Sequence, residues 1–152
     1  MRERAIRRAT TDDITEIVRL ARGYLKESPH KAILGFITDE QLEDFTRAVL
    51  SVGTILVSEG DGALSGMLAL VPARNALTDR SYLEDLVWFI EKPYRALYLA
   101  NLFVNEAVTV GREAGLPAVK MTSPTQSAVG VLLARKGFRE VETAWVLDLG
   151  PP

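Results

Sequence analysis

The feature that most constrains the fold is a strand–turn–helix–strand pattern in the second half of the chain. Residues 82–90 are rich in aromatic and β-branched side chains, which favours a strand. Pro93 then marks a turn, and apolar residues recur at helical spacing from Leu97 as far as Gly115. Residues 118–122 have the composition of a short strand. Two strands joined by a long helix predict a parallel strand pair with the helix packed across it.

Two amphipathic helices are predicted in the first third of the chain, after a candidate strand at residues 5–9. Thr11 is followed by two aspartates and therefore predicts a helix N-terminus. The apolar stripe of that helix continues until Pro29 ends it. Thr38 opens a capping-box pattern, which predicts a second helix toward Gly53.

A β-hairpin is predicted between the second helix and the aromatic strand. Residues 54–58 and 63–71 are apolar runs that flank a turn rich in glycine and acidic residues, and Pro72 is expected to end the second run. Residues 73–80 are polar and predict a loop.

The chain is expected to close with one more helix and one more strand. Residues 126–136 predict the helix, which Gly137 stops, and residues 143–149 predict the last strand. The element order is then β-α-α-β-β-β-α-β-α-β. No repeat or linker interrupts this order, so we expect one α/β domain of the α+β type, with a mixed sheet, over residues 1–152.

Composition limits the partners and the chemistry of this chain. Its 152 residues include 18 Lys and Arg against 20 Asp and Glu, so the excess positive charge on which nucleic-acid binding relies is missing. The absence of cysteine excludes disulfides, thiolate metal sites and a cysteine nucleophile, and a single histidine argues against any metal site. The arginine-rich start has no apolar segment after it, and no apolar run reaches about 18 residues. We therefore expect a cytoplasmic protein that binds neither membrane nor nucleic acid.

The turn between the aromatic strand and the long helix carries a family resemblance. The segment that begins at Ile90 contains Arg95, two residues, Tyr98, one residue and Ala100. It resembles the GNAT superfamily of acyl-CoA-dependent N-acyltransferases, whose members have Arg or Gln, two residues, Gly, one residue, and Gly or Ala at this turn. Tyr98 stands in the place of the first glycine. The similarity extends over residues 6–149, and it implies a mixed, mostly antiparallel, twisted sheet of six to seven strands with flanking helices.

The resemblance implies acetyl-CoA or another acyl-CoA as co-substrate and no metal. Unpaired backbone N–H groups at a helix start, together with the helix dipole, can hold the diphosphate of such a cofactor. The residues that the resemblance assigns to cofactor binding are Phe89, Ile90, Arg95, Ala96, Leu97, Tyr98, Leu99, Ala100 and Gln126. Gln126 stands where many members have an Asn at the start of the closing helix. Leu133 stands where many members have the Tyr that protonates the departing thiolate.

An amine must lose a proton to attack a thioester, and two neighbouring carboxylates are candidates for the base. Glu84 stands where some GNAT enzymes carry a glutamate base, and Asp85 matches an acidic residue of other members. Adjacent strand residues point to opposite faces, so at most one of the two faces the acyl group. Alternatively, one or both brace the sheet by pairing with Arg74 or Arg80.

The acceptor pocket has two candidate residues. His30 lies in the loop at residues 28–37, where the family usually forms part of this pocket, although a lone loop histidine is more often simply exposed. Trp88 is the second candidate, with core packing as its alternative.

The resemblance implies an N-acetyltransferase that moves an acetyl group to a primary amine by direct attack in a ternary complex. The acceptor would be an amine-bearing small molecule or protein. Because Tyr98 and Leu133 depart from the family pattern, a GNAT-fold protein that binds acyl-CoA without turnover is the alternative. A third interpretation is an interaction module whose apolar strands form a homodimer.

Overall fold

Five strands and five helices are found in the computed structural model, which describes residues 4–125 and 127–151. In chain order they are β1 (Ala5–Arg8), α1 (Ile14–Glu27), α2 (Lys31–Leu34), α3 (Asp39–Val52), β2 (Thr54–Gly60), β3 (Ala63–Arg74), β4 (Ser81–Ile90), α4 (Leu97–Glu113), β5 (Val119–Lys120) and α5 (Ala128–Arg135). Single 3-10 turns, Thr11–Asp13 and Lys92–Tyr94, precede α1 and α4. In the described ranges, every helix is too short or too polar to cross a bilayer.

The strands form one mixed sheet in the order β1-β2-β3-β4-β5. The first four strands are antiparallel to one another in turn, and β5 is parallel to β4. The predicted mixed and mostly antiparallel sheet is therefore confirmed. The expectation of six to seven strands is wrong, because five are present in the described residues.

The missing strand is the one predicted at residues 143–149. These residues have the composition of a strand, but they pair with no described neighbour and remain irregular. A strand requires hydrogen-bonding partners on a sheet edge, and composition alone does not supply them.

Local signals set most element boundaries, with two small corrections. The Thr38 capping box is present as predicted. At the first helix, Thr10 rather than Thr11 is the capping residue, because Asp13 completes a capping box with it. Strand β3 continues through Pro72 to Arg74 instead of ending. Pairing with β2 stops at Leu70, so Pro72 lies where β3 has one free edge and tolerates the missing N–H.

Helices cover both faces of the sheet. Helices α1 and α3 pack on one face against a cluster that includes Ile17, Val57 and Met67. Helix α4 covers the other face, where Phe103 is fully buried, and α5 packs against α4. We call these the α1/α3 face and the α4 face. Because strand residues alternate between them, each side chain of β4 is assigned to one side of the sheet.

Candidate active site

Strands β4 and β5 form a fork. They pair at Leu83 with Val119 and at Glu84 with Lys120, and then separate. Strand β4 contains a β-bulge, because Leu70 of β3 pairs with Asp85 and Ala69 pairs with Val87, which leaves Leu86 as an extra residue. A bulge bends its strand and increases the local twist. Beyond Glu84 and Lys120 the two strands no longer pair, and we call the region between β4 and residues 121–125 the β4–β5 cleft.

Asp85 lies at the vertex of this cleft, on the α4 face. Its cross-strand partner Leu70 belongs to the core cluster under α4, which defines that face. The carboxylate accepts hydrogen bonds from the Thr122 backbone N–H and from its hydroxyl. Burial raises the pKa of Asp85 above its ordinary value, and the hydrogen bonds from Thr122 oppose that change only in part.

Glu84 lies on the opposite face. Its cross-strand partner Val71 packs with the cluster under α1 and α3. The Lys120 ammonium is 3.5 Å from the Glu84 carboxylate and 2.8 Å from that of Glu142. The predicted separation of Glu84 and Asp85 onto two faces is therefore present. Neither carboxylate is paired with Arg74 or Arg80, and Arg74 instead contacts Asp79.

The N-terminus of α4 opens at the same end of the sheet as the cleft. Ala96 is the capping residue in an extended conformation, and no side chain caps the helix. Its carbonyl accepts the N–H groups of Leu99 and Ala100, whereas the amides of Ala96, Leu97 and Tyr98 have no acceptor among the described residues. Three consecutive free donors and the positive end of a 17-residue helix favour an anion at this point.

A cavity of about 150 Å³ adjoins these amides. The half-exposed Tyr98 ring lines it, as do Tyr94 and Arg4, whose guanidinium lies 3.8 Å from the centre of the Tyr94 ring. The sequence did not single out Arg4 for this turn, because the two segments are far apart in the chain.

Arg95 lines the same cavity, and its guanidinium is already bound by other groups. Its Nε donates to the Ile90 carbonyl at 2.7 Å, and its terminal nitrogen pairs with Glu27 at the end of α1. The guanidinium also lies 5.5 Å from the centre of the Phe89 ring. Phe89 itself is buried on the α1/α3 face, so its side chain belongs to the core.

Solved structures of acetyltransferases resemble this fold over nearly its whole length. A predicted acetyltransferase from Clostridium acetobutylicum, solved with acetyl-CoA, is 15% identical with a TM-score of 0.75, and the match covers 97% of both chains. Glucosamine-6-phosphate N-acetyltransferase from Arabidopsis thaliana is 14% identical with a TM-score of 0.73, covering 98% of this chain and 100% of that one. Ribosomal-protein-alanine N-acetyltransferase from Brucella melitensis is 14% identical with the same TM-score, covering 96% and 99%.

The chain has the GNAT fold. The likeness is one of backbone structure, since no protein-family model matches the sequence and no curated protein matches it either.

Leu133 stands where many GNAT members have the Tyr that acts as general acid, and this side chain is apolar and buried. Leu133 packs with Ala100 and Val104 beneath the first turns of α4, at 7% exposure. No proton can be donated from that position. Gln126, the predicted cofactor contact at the start of the closing helix, lies outside the described residues.

The loop at residues 28–37 begins beside the α4 turn. Glu27, the last residue of α1, pairs with Arg95 and Lys92, which brings the start of the loop to this end of the sheet. The loop contains the short helix α2, which the sequence did not indicate, and half-buried His30 precedes it. Phe36 in this loop is 88% exposed. The sequence did not single out Phe36.

Trp88 packs on the α4 face, whereas His30 follows α1 on the opposite side. The indole makes an edge contact with Phe103, with ring centres 6.4 Å apart. Its Nε1 is buried and has no hydrogen-bond partner among the described residues. The structure therefore does not bring Trp88 and His30 together. Trp88 packs against the core cluster under α4.

Proposed function

We propose that this protein is an acyl-CoA-dependent N-acetyltransferase that transfers the acetyl group of acetyl-CoA to a primary amine. The observation that carries the proposal is the set of three unpaired amides at the α4 N-terminus, which follows the part of β4 that has no β5 partner. The diphosphate binds the amides of Ala96, Leu97 and Tyr98. The extended pantetheine arm then lies along the outer edge of β4, whose backbone groups beyond the bulge lack a β5 partner.

The reaction uses the two faces of the cleft. The cofactor enters from the end where α4 begins, and its thioester reaches the vertex near Asp85. An amine then approaches from the α1/α3 face, where Glu84 lies and where the 28–37 loop begins. Glu84 takes one proton from the ammonium form of the amine through a water molecule, and the neutral nitrogen attacks the thioester carbon. The C–S bond then breaks, and the nitrogen gives its second proton to solvent as the amide forms. Because Leu133 carries no proton, the thiolate of CoA is protonated by solvent.

Asp85 has a positioning role in this scheme. It faces away from the approaching amine and accepts hydrogen bonds from Thr122. These bonds hold β4 to the chain beyond β5 at the point where the thioester lies. A primary amine as acceptor is supported by the names of two proteins with this fold, one acting on glucosamine 6-phosphate and one on a ribosomal-protein alanine. The acceptor of this chain is proposed only as an amine of that class.

The cofactor site is tested by removing one amide without disturbing the helix. Leu97 is the first residue of α4, a position that favours proline, and Ala96 before it has ψ 146°, which is compatible with a following proline. We expect Leu97→Pro to weaken acetyl-CoA binding about tenfold, the size of one hydrogen bond to a charged group. Leu97→Ala keeps the amide and is the matched control. The measurement is calorimetric titration, with thermal stabilisation by acetyl-CoA as a second readout. Equal acetyl-CoA affinities of the two variants would mean that the Leu97 amide at the α4 turn does not bind the cofactor.

Turnover is tested separately, by release of CoA thiol over a panel of primary amines. A binding protein without turnover is the second candidate, and the buried Leu133 favours it. Amine-dependent thiol release supports the transferase. Tight acetyl-CoA binding without release from any amine class supports the second candidate.

A further inference from the structure

A second cavity lies at the end of β4 that is opposite to the α4 turn. Its volume is about 310 Å³, and it is formed between the loop that joins β3 to β4 and the residues just before β5. We call it the β3–β4 loop cavity. Its lining includes Asn75, Arg80, Tyr82 and Ala118. None of these residues has a role in the reaction described above.

The polar groups of this cavity are mainly donors, and no carboxylate lines it. The Asn75 Oδ1 atom accepts the backbone N–H groups of Leu77 and Thr78, so the Nδ2 group of this side chain remains as a donor. The Arg80 guanidinium pairs with no carboxylate among the described residues. A lining that combines one free cation with neutral donors favours an anion.

The loop is held in place without the Arg80 side chain. The Asn75 N–H donates to the Arg80 carbonyl at 2.9 Å, and the Asp79 N–H donates to the Asn75 carbonyl at 2.8 Å. Asp79 pairs with Arg74, at 3.2 Å. Because these contacts already close the loop, the guanidinium is positioned at the cavity and is free to bind a ligand.

The cavity lies on the same face of the sheet as Glu84. Leu83 packs in the core under α4, so its neighbours Tyr82 and Glu84 both point to the α1/α3 face. Two residues of a strand span about 7 Å, and the cavity therefore begins at about that distance from the proposed base. Lys120 is nearer, but its charge is already balanced by Glu84 and Glu142.

We propose that the acceptor amine carries a carboxylate, which Arg80 and Asn75 bind in the β3–β4 loop cavity while the amine reaches Glu84. This inference rests on the proposed function and names the class of its acceptor. One cation balances the single charge of a carboxylate, and the planar guanidinium offers parallel N–H groups to its two oxygens. The amine and the carboxylate are then about 7 Å apart, which roughly five methylene groups span. The acceptor class is therefore an aliphatic amine with a carboxylate at its other end.

The test compares two acceptors of the same shape, ε-aminocaproate and its neutral amide ε-aminocaproamide, by release of CoA thiol at saturating acetyl-CoA. We expect kcat/KM of the wild type to be at least about tenfold higher for the carboxylate, through a lower KM, as one charge-assisted contact provides. Arg80→Gln should abolish this preference and leave both the reaction of the amide and the acetyl-CoA affinity unchanged. Arg80→Lys keeps the charge without the planar fork and should restore part of the preference.

The matched control is the double substitution Arg74→Gln and Asp79→Asn, which removes the neighbouring ion pair without changing the net charge. Asparagine tolerates the φ of 56° that Asp79 adopts, so the loop should keep its shape and the preference should remain. Equal kcat/KM for the two acceptors in the wild type, or a preference that survives Arg80→Gln, overturns the inference and leaves the proposed function intact. An absence of thiol release from every amine instead overturns the proposed function, and the acceptor assignment with it.

Discussion

The Asp85 carboxylate accepts hydrogen bonds from the Thr122 backbone N–H at 3.1 Å and from the Thr122 hydroxyl at 3.2 Å. These bonds join β4 to the chain beyond β5 at the point where the two strands separate. Burial raises the pKa of Asp85 above its ordinary value of 3.8, so the folded protein holds the protonated form more readily than the unfolded chain does.

The pH dependence of stability follows from that raised pKa. The contribution of Asp85 is fully present below the ordinary aspartate pKa and is lost as the pH rises through the folded-state pKa. Asp85→Asn cannot titrate. We therefore expect the Tm of this variant, relative to the wild type, to increase between about pH 4 and pH 8. Thermal unfolding across that range measures it, with Asp44→Asn on the exposed face of α3 as the control. A Tm difference that stays constant or falls with pH contradicts this account.

Tyr98 is expected to limit the approach of phosphates to the α4 amides. Its ring lines the cavity at this turn, and the residue is 44% exposed. We expect Tyr98→Ala to tighten acetyl-CoA binding severalfold in calorimetry, because the amide stays and the ring is removed. Tyr98→Gly should bind at least as tightly while losing about 0.5–1 kcal/mol of folding stability, as glycine does in a helix. Weaker binding by Tyr98→Ala would instead indicate that the ring stacks on the cofactor.

The ion pair of Arg95 with Glu27 is expected to compete with cofactor binding. Both side chains are partly exposed, and pairs of this kind contribute at most about 1 kcal/mol to stability. We expect Glu27→Gln to raise the affinity for acetyl-CoA severalfold at low salt, since it frees the guanidinium and removes a negative charge near the diphosphate. The gain should shrink in high salt, where exposed charges are screened. The matched control is Glu16→Gln, which removes a similar pair with Arg19 on the same helix. An unchanged affinity in Glu27→Gln means that Arg95 does not reach the cofactor.

Signals within a few residues explain what the sequence could predict. The sequence predicted the capping box at Thr38, the turn at Pro93 and the strand–helix–strand order, because each of these depends on residues that are close together in the chain. The order of elements around the parallel pair was therefore correct, and so was the location of the free α4 amides.

Contacts between distant residues account for what the sequence could not predict. The guanidinium of Arg95 is paired, because Glu27, far earlier in the chain, lies beside it. The alternation of Glu84 and Asp85 was predicted, but their faces became known only from their partners on β3 and from the bulge at Leu86. Residues 143–149 have the composition of a strand but form none with the described residues, because composition does not specify a pairing partner.

Glu84 is expected to be the base of the proposed reaction, and its removal should affect the chemical step. A positioned general base contributes roughly 10²–10⁴ in rate, so Glu84→Gln should lower kcat at least about 100-fold at neutral pH. The acetyl-CoA affinity should stay the same, because Glu84 lies on the face opposite to the cofactor. The loss should diminish at high pH, where more of the amine is already unprotonated. Thiol release measured as a function of pH tests this expectation, with Glu43→Gln on exposed α3 as the control. If Glu84→Gln retains the wild-type rate while Asp85→Asn loses it, the base is Asp85, and the amine approaches from the α4 face.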